Sequence, residues 1–216
     1  MYEHPLPFIE ELKSVPIINK FEDLLKVLGA VYTIVPWTET PYLGEIDLID
    51  VKFESDTDLR GIYKKFKKIQ IGGWCGLNNK FFRKILTSYS IKNESYNYGL
   101  SIGYITHIGA IVEFEGNKLF FDPYFARYFV NTEGLPISFE DLMFLIREKK
   151  FDEYKSVFLC LKKPVKRENG TVDYLFPQEL LEGSIEIFKQ NGLEKVLREV
   201  FGTSNPDSLM LIKISD

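Results

Sequence analysis

Residues 70–86, QIGGWCGLNNKFFRKIL, decide the fold. Gly72 and Gly73 interrupt the pattern upstream, and from there Leu77, Phe81, Ile85 and Tyr89 recur every fourth residue with Phe82 and Leu86 beside them. This spacing predicts a buried helix from Cys75 to about Tyr89, with the cysteine in its first turn. A thiol so placed meets the positive end of the helix dipole and unpaired backbone N–H groups, surroundings that favour a thiolate. Gly73 and Gly76 put no side chain beside the sulfur.

Candidates for chemistry are few, because the chain holds only two cysteines and two histidines. Cys160 lies inside the apolar run VFLCL, a strand interior, and His4 stands near the N-terminus ahead of Pro5 and Pro7. Cys75 and His107 remain, the latter in YITHIGAIVEF, followed by Asp122 in LFFDPYF. A thiol nucleophile needs a base, and the base needs a third group to hold its ring. Taken singly, each residue also has a plain structural reading: a buried cysteine, a packed histidine and an Asp-Pro strand exit. Their ordered combination favours the chemical one.

Thr106 to Phe114 and Lys118 to Asp122 are β-rich runs around Glu115-Gly116-Asn117, the signature of an antiparallel hairpin. His107 and Asp122 are 15 positions apart. In a hairpin with an even-numbered loop, an odd separation puts both on one face. A tight Gly116-Asn117 loop would set Asp122 opposite Ile111, roughly 13 Å along the strand from His107. A wider loop near Phe114-Glu115, or a bulge, is therefore expected.

Elsewhere, Phe21 to Leu28 reads as a short helix closed by Gly29, Val31 to Val35 as a strand, and Pro36 to Gly44 as a loop. Ser55, Asp56 and Asp58 offer caps for a helix from about Leu59 to Lys68. Ala126 to Pro136 reads as a loop, Ser138 caps a helix to about Lys149, and Lys155 to Lys162 is a strand. Pro177 to Asn191 is a helix stopped by Gly192; a helix from Leu193 to Phe201 and a strand from Leu209 to Ile214 follow. Helices early and late around central strands argue for an α+β fold with the cysteine helix packed on an antiparallel sheet.

The 216 residues suit a single domain, 1–216, with its core at about 56–130, and no repeat or linker divides them. Hydrophobic residues are 45% and aromatics 15%, so an aromatic-rich core is expected. A net charge of -4 argues against nucleic acid, and the one basic cluster, Lys64, Lys65, Lys67 and Lys68, reads as the wet face of a helix. Neither a secretory signal nor an apolar run of membrane-spanning length is visible, and two cysteines suit a reducing compartment; a cytoplasmic protein away from membranes is expected. Cys75, Cys160, His4 and His107 lack metal-ligand spacing, phosphate-binding glycine motifs are absent, and no cofactor is implied. The sequence carries no signal for oligomeric state.

GGWCGLNNKFFRKIL (72–86) and THIGAIVEFEGNKLFFDPYF (106–125) resemble the core of the transglutaminase-like superfamily of papain-type thiol enzymes, over about Leu59 to Tyr128. The resemblance implies a papain-like fold, Cys75 as nucleophile, His107 as general base and Asp122 as orienting carboxylate. It also implies an oxyanion hole, for which Gln70 resembles the glutamine of papain-like proteases and Trp37 the indole donor of animal transglutaminases. Trp74, next to the thiol, is a candidate for lining a substrate pocket. The same segments resemble arylamine N-acetyltransferases, which share the GGxC core followed by asparagine and phenylalanine; Ile71 and DPYF stand where that family has arginine and DVGFG.

Either resemblance implies acyl transfer or hydrolysis at an amide, ester or thioester, with a peptide, amide or acyl-thioester as substrate. The transglutaminase-like reading leads, an acyl-CoA acyltransferase of the arylamine type comes second, and a noncatalytic module keeping the fold is third.

Overall fold

The computed structural model describes residues 18–38, 72–100 and 105–190. Within them the elements run α1 (Phe21–Ile34), β1 (Trp37–Thr38), α2 (Cys75–Ser88), β2 (Asn93–Leu100), β3 (Ile105–Phe114), β4 (Asn117–Asp122) and β5 (Arg127–Asn131). They continue with α3 (Phe139–Arg147), β6 (Tyr154–Phe158), β7 (Lys163–Lys166), β8 (Val172–Leu175) and α4 (Pro177–Gln190). Gln70, His4, the helix expected over Leu59 to Lys68 and the C-terminal helix and strand lie outside the described residues.

Strands β2 to β6 form an antiparallel meander in sequence order, and β7 lies between β1, its parallel neighbour, and β8, its antiparallel one. The fold is therefore α+β, with the inner strands of the meander buried on both faces. Ala110, Val112, Leu119 and Phe121 turn toward α1 and α2, where Leu24, Leu28, Phe81 and Phe82 complete the main core. Ile111, Phe120 and Phe129 turn the other way, onto Leu142, Met143 and Ile146 of α3. Two-sided burial explains why β3 and β4 read as nearly continuous apolar runs. No helix among the described residues is long and apolar enough to cross a membrane.

Several boundaries differ from the sequence reading. Gly29 does not end α1, which continues through Val31 to Ile34 where a strand was expected. A Cβ at Gly29 would lie 2.7 Å from Leu161 Cδ1, so the glycine serves close packing inside the helix. Val31 and Tyr32 are fully buried, and this tertiary packing overrides their strand preference. Arg127–Asn131 is a strand within the stretch read as a loop. The strand expected to reach Lys162 stops at Phe158, which leaves Cys160 exposed in a bend rather than inside a sheet.

Candidate active site

Cys75 is the first residue of α2, as its sequence position requires. Trp74 is the N-cap, in extended conformation and without a side-chain cap hydrogen bond, because an indole offers no acceptor to the first-turn amides. Its carbonyl instead accepts from the backbone N–H of Asn78 at 3.2 Å and from Asn78 Nδ2 at 2.7 Å. The thiol residue is partly exposed and the Trp74 side chain is 41% exposed beside it.

The observed hairpin corrects the expected register. Its loop is Glu115-Gly116, both at positive φ (49° and 77°), and Phe114 pairs with Asn117. There is neither a wide loop nor a bulge in this ladder. Continuing the observed Ala110↔Phe121 pairing by one step sets Asp122 against Gly109, two residues from His107 on the same face. That diagonal separation is short enough for an imidazole and a carboxylate to meet. His107 Nε2 lies 3.1 Å from Asp122 Oδ1 and 3.0 Å from Oδ2.

Gly109 makes this crossing possible. A Cβ there would run into the Phe120 ring and lie 2.8 Å from the Phe121 carbonyl oxygen, immediately before Asp122. A backbone atom cannot swing aside as a side chain can. Gly109→Ala is therefore expected to destabilise the fold by about 1–3 kcal/mol in denaturant unfolding and to weaken the His107–Asp122 contact; an unchanged midpoint would remove the argument.

His107 is held on several sides. Its ring stacks on Phe125 (centroids 5.1 Å apart, 25° between planes) and meets the edge of Tyr124 at 5.6 Å. The Cys75 side chain hydrogen-bonds to it, so one imidazole joins the thiol to the carboxylate. With Nε2 donating to Asp122, Nδ1 is the nitrogen left for the sulfur.

Asp122 is fully buried and accepts from several donors. The N–H groups of Tyr124 and Phe125 donate to Oδ1 at 3.2 and 3.3 Å, and Arg127 Nη2 donates to Oδ2 at 3.3 Å. The chain turns back on its own carboxylate, as Asp-Pro turns do. Arg127 is also fully buried, its guanidinium 5.0 Å from the centre of the Phe129 ring and 5.9 Å from that of Phe125. Sequence reasoning missed Arg127. The signal was there in DPYFAR, but it becomes legible only once β4 and β5 are known to pair Asp122 with Arg127.

Burial alone would push the His107 imidazole down. The Asp122 charge, the Cys75 sulfur and hydrogen bonds to both outweigh it and raise the ring from 6.5 to about 9. The fold therefore prefers the protonated ring, a stabilisation that is full below about pH 6.5 and lost as pH rises through about 9. Unfolding free energy should fall across that window, and the fall should be largely absent in His107→Gln; matching profiles for the two proteins would count against the coupling.

No protein-family model matches this chain, and no curated protein matches it. Among solved structures, arylamine N-acetyltransferase NAT3 from Bacillus cereus, described as having a unique Cys-His-Glu catalytic triad, is similar at 17% identity and a TM-score of 0.38. That alignment covers 65% of this chain and 55% of the other, so the chain spans about half the length of that enzyme. Arylamine N-acetyltransferase C from Bacillus anthracis is similar at 14% identity and a TM-score of 0.37, over 94% of this chain and 99% of its own. Both are arylamine N-acetyltransferases.

Of the remaining candidates, Trp37 is partly buried against the main core. The residue before it, Pro36, accepts from the Gly73 N–H at 3.0 Å, which ties β1 to the loop leading into Cys75. Gln70 lies outside the described residues. Among those described, no group of three or more His, Cys, Asp or Glu side chains is placed to hold a metal ion.

Proposed function

We propose that this chain catalyses thiol-dependent acyl transfer or hydrolysis at an amide, ester or thioester, with Cys75 as nucleophile, His107 as general base and acid, and Asp122 as the group that orients the ring. The observation that supports it is the His107 imidazole bonded to Asp122 through Nε2 and to the Cys75 side chain. A ring whose pKa is raised to about 9 is basic enough to act as the base and acid of this chemistry. The sulfur then attacks the acyl carbon, the carbonyl pair moves to oxygen, and the tetrahedral intermediate collapses as His107 returns its proton to the leaving group. Water or an amine, deprotonated by the same ring, releases the acyl group.

The Cys75 backbone N–H is the natural first donor to the developing oxyanion, and the Trp37 indole and Gln70 are candidates for the second. Trp74, exposed and next to Cys75 in the chain, is the candidate for lining the acyl or acceptor pocket. The transglutaminase-like, papain-type core is the family reading we favour, carried by the Cys-helix and His–Asp hairpin order. The arylamine N-acetyltransferase type is its alternative, favoured by the GGWC segment followed by Asn78, Asn79, Phe81 and Phe82.

The test is intact-mass analysis after incubation with acetyl-CoA, an activated acetyl ester or a glutamine-containing peptide. A thioester on Cys75 supports the proposal, and the donor that forms it chooses between the families. No adduct with any donor, or an adduct on Cys160, would sink it.

A further inference from the structure

We propose that Lys163 is a positioning residue for the nucleophile: its buried Nζ fixes the Asn78 side-chain amide, and that amide fixes the Trp74 carbonyl immediately before Cys75. This rests on the reading of Cys75 as the nucleophile.

Lys163 lies on β7 and is fully buried, in a position where a methionine of similar length would pack without the cost of removing an amine from water. Packing does not account for a lysine there. Nζ donates to the Val35 carbonyl at 2.8 Å and to Asn78 Oδ1 at 2.7 Å, and it lies 4.6 Å from the centre of the Tyr32 ring. Burial pushes the amine well below the ordinary lysine range, with the Asp122 charge opposing. Neutral or charged, the amine has a hydrogen for each of its two oxygen acceptors.

The consequence falls on Asn78, itself fully buried. Its amide could in principle sit either way round. The lysine amine donates to Oδ1, and this supports the orientation that turns Nδ2 onto Trp74 O at 2.7 Å and toward Gly73 O at 3.5 Å. Reversed, the amide would set oxygen against oxygen at the N-cap of the cysteine helix. Lys163 is also 5.9 Å from the centre of the Tyr124 ring, whose residue donates its N–H to Asp122. One side chain thus reaches both the turn that carries the thiol and the turn that carries the acid.

The experiment compares the rate of Cys75 alkylation by iodoacetamide near neutral pH in Lys163→Met, Asn78→Leu, the double variant and His107→Ala, with thermal unfolding measured alongside. Lys163→Met should slow alkylation about 10- to 100-fold while keeping or raising the melting temperature. Asn78→Leu should slow it similarly, and the double variant should be no slower than either, because both act through one path. A folded Lys163→Met with the normal rate, or a double variant showing the product of two independent effects, would overturn the proposal. If Lys163→Met does not fold, Asn78→Asp decides: it keeps the acceptor for Lys163 but removes the N–H toward Trp74, so slowed alkylation supports the relay and a normal rate defeats it. A normal rate in His107→Ala would sink the nucleophile reading itself, whereas slowing there without slowing in the Lys163 variant removes the relay alone.

Discussion

Cys75→Ala should abolish thioester formation and lower kcat/KM by about 10⁴-fold or more, with only a small loss of stability. The two halves of this expectation come from different features. Chemically, the other cysteine is no substitute for the sulfur: Cys160 is exposed in a bend after β6. Structurally, Cys75 is only partly buried at the start of α2, packed against the edge of the main core. The cost is expected at about 1 kcal/mol, because the change removes one hydrogen bond to His107 and little packing. Intact mass with the acyl donor found to label the protein, beside a denaturant titration, checks both. Turnover surviving in Cys75→Ala would end the covalent mechanism.

Asp122→Asn should show the opposite pairing, a loss of rate together with a loss of stability. Replacing the carboxylate by an amide no longer guarantees which imidazole nitrogen carries the proton, and the comparable change in serine proteases costs about 10⁴-fold. The same change takes the counter-charge from Arg127, which is fully buried, as Asp122 is, and 3.3 Å away. Breaking a buried ion pair from one side costs about 3–5 kcal/mol. It also sets a donor amide near the N–H groups of Tyr124 and Phe125, which both point at Oδ1. Activity should be measured at a temperature where circular dichroism shows the variant folded. A folded, stable variant with normal turnover would remove Asp122 from the site and Arg127 from its support.

The parts of this molecule that were legible in the sequence are those governed by local patterns. Four-residue spacing after a glycine pair set α2 to begin at Cys75, Ser138 accepts from the Asp141 N–H as an N-cap should, and α4 begins at Pro177. What was not legible depends on neighbours distant in sequence. Strand β2 reads NESYNYGL, too polar to announce a strand, because part of its polar side chains are taken up by α2: Asn93 Oδ1 accepts from Arg83 Nε, and Ser95 Oγ from Asn79 Nδ2. The hairpin was found but its register was not. Asn117 looks like a turn residue, yet the left-handed positions fall on Glu115 and Gly116, and glutamate is a poor signal for such a turn. Moving the loop by one residue shifts Asp122 from opposite Ile111 to opposite Gly109, which decides whether it can reach His107.

The missing cap on α2 bears on how stability is distributed in this protein. A serine or aspartate in place of Trp74 would add about 1 kcal/mol by accepting from a first-turn amide, and an oxygen held there would occupy a donor that a reacting carbonyl could otherwise use. At this helix start the Asn78 amide holds the Trp74 carbonyl while the Trp74 side chain gives no cap, so a bound acyl oxygen can supply the acceptor that the cap side chain does not.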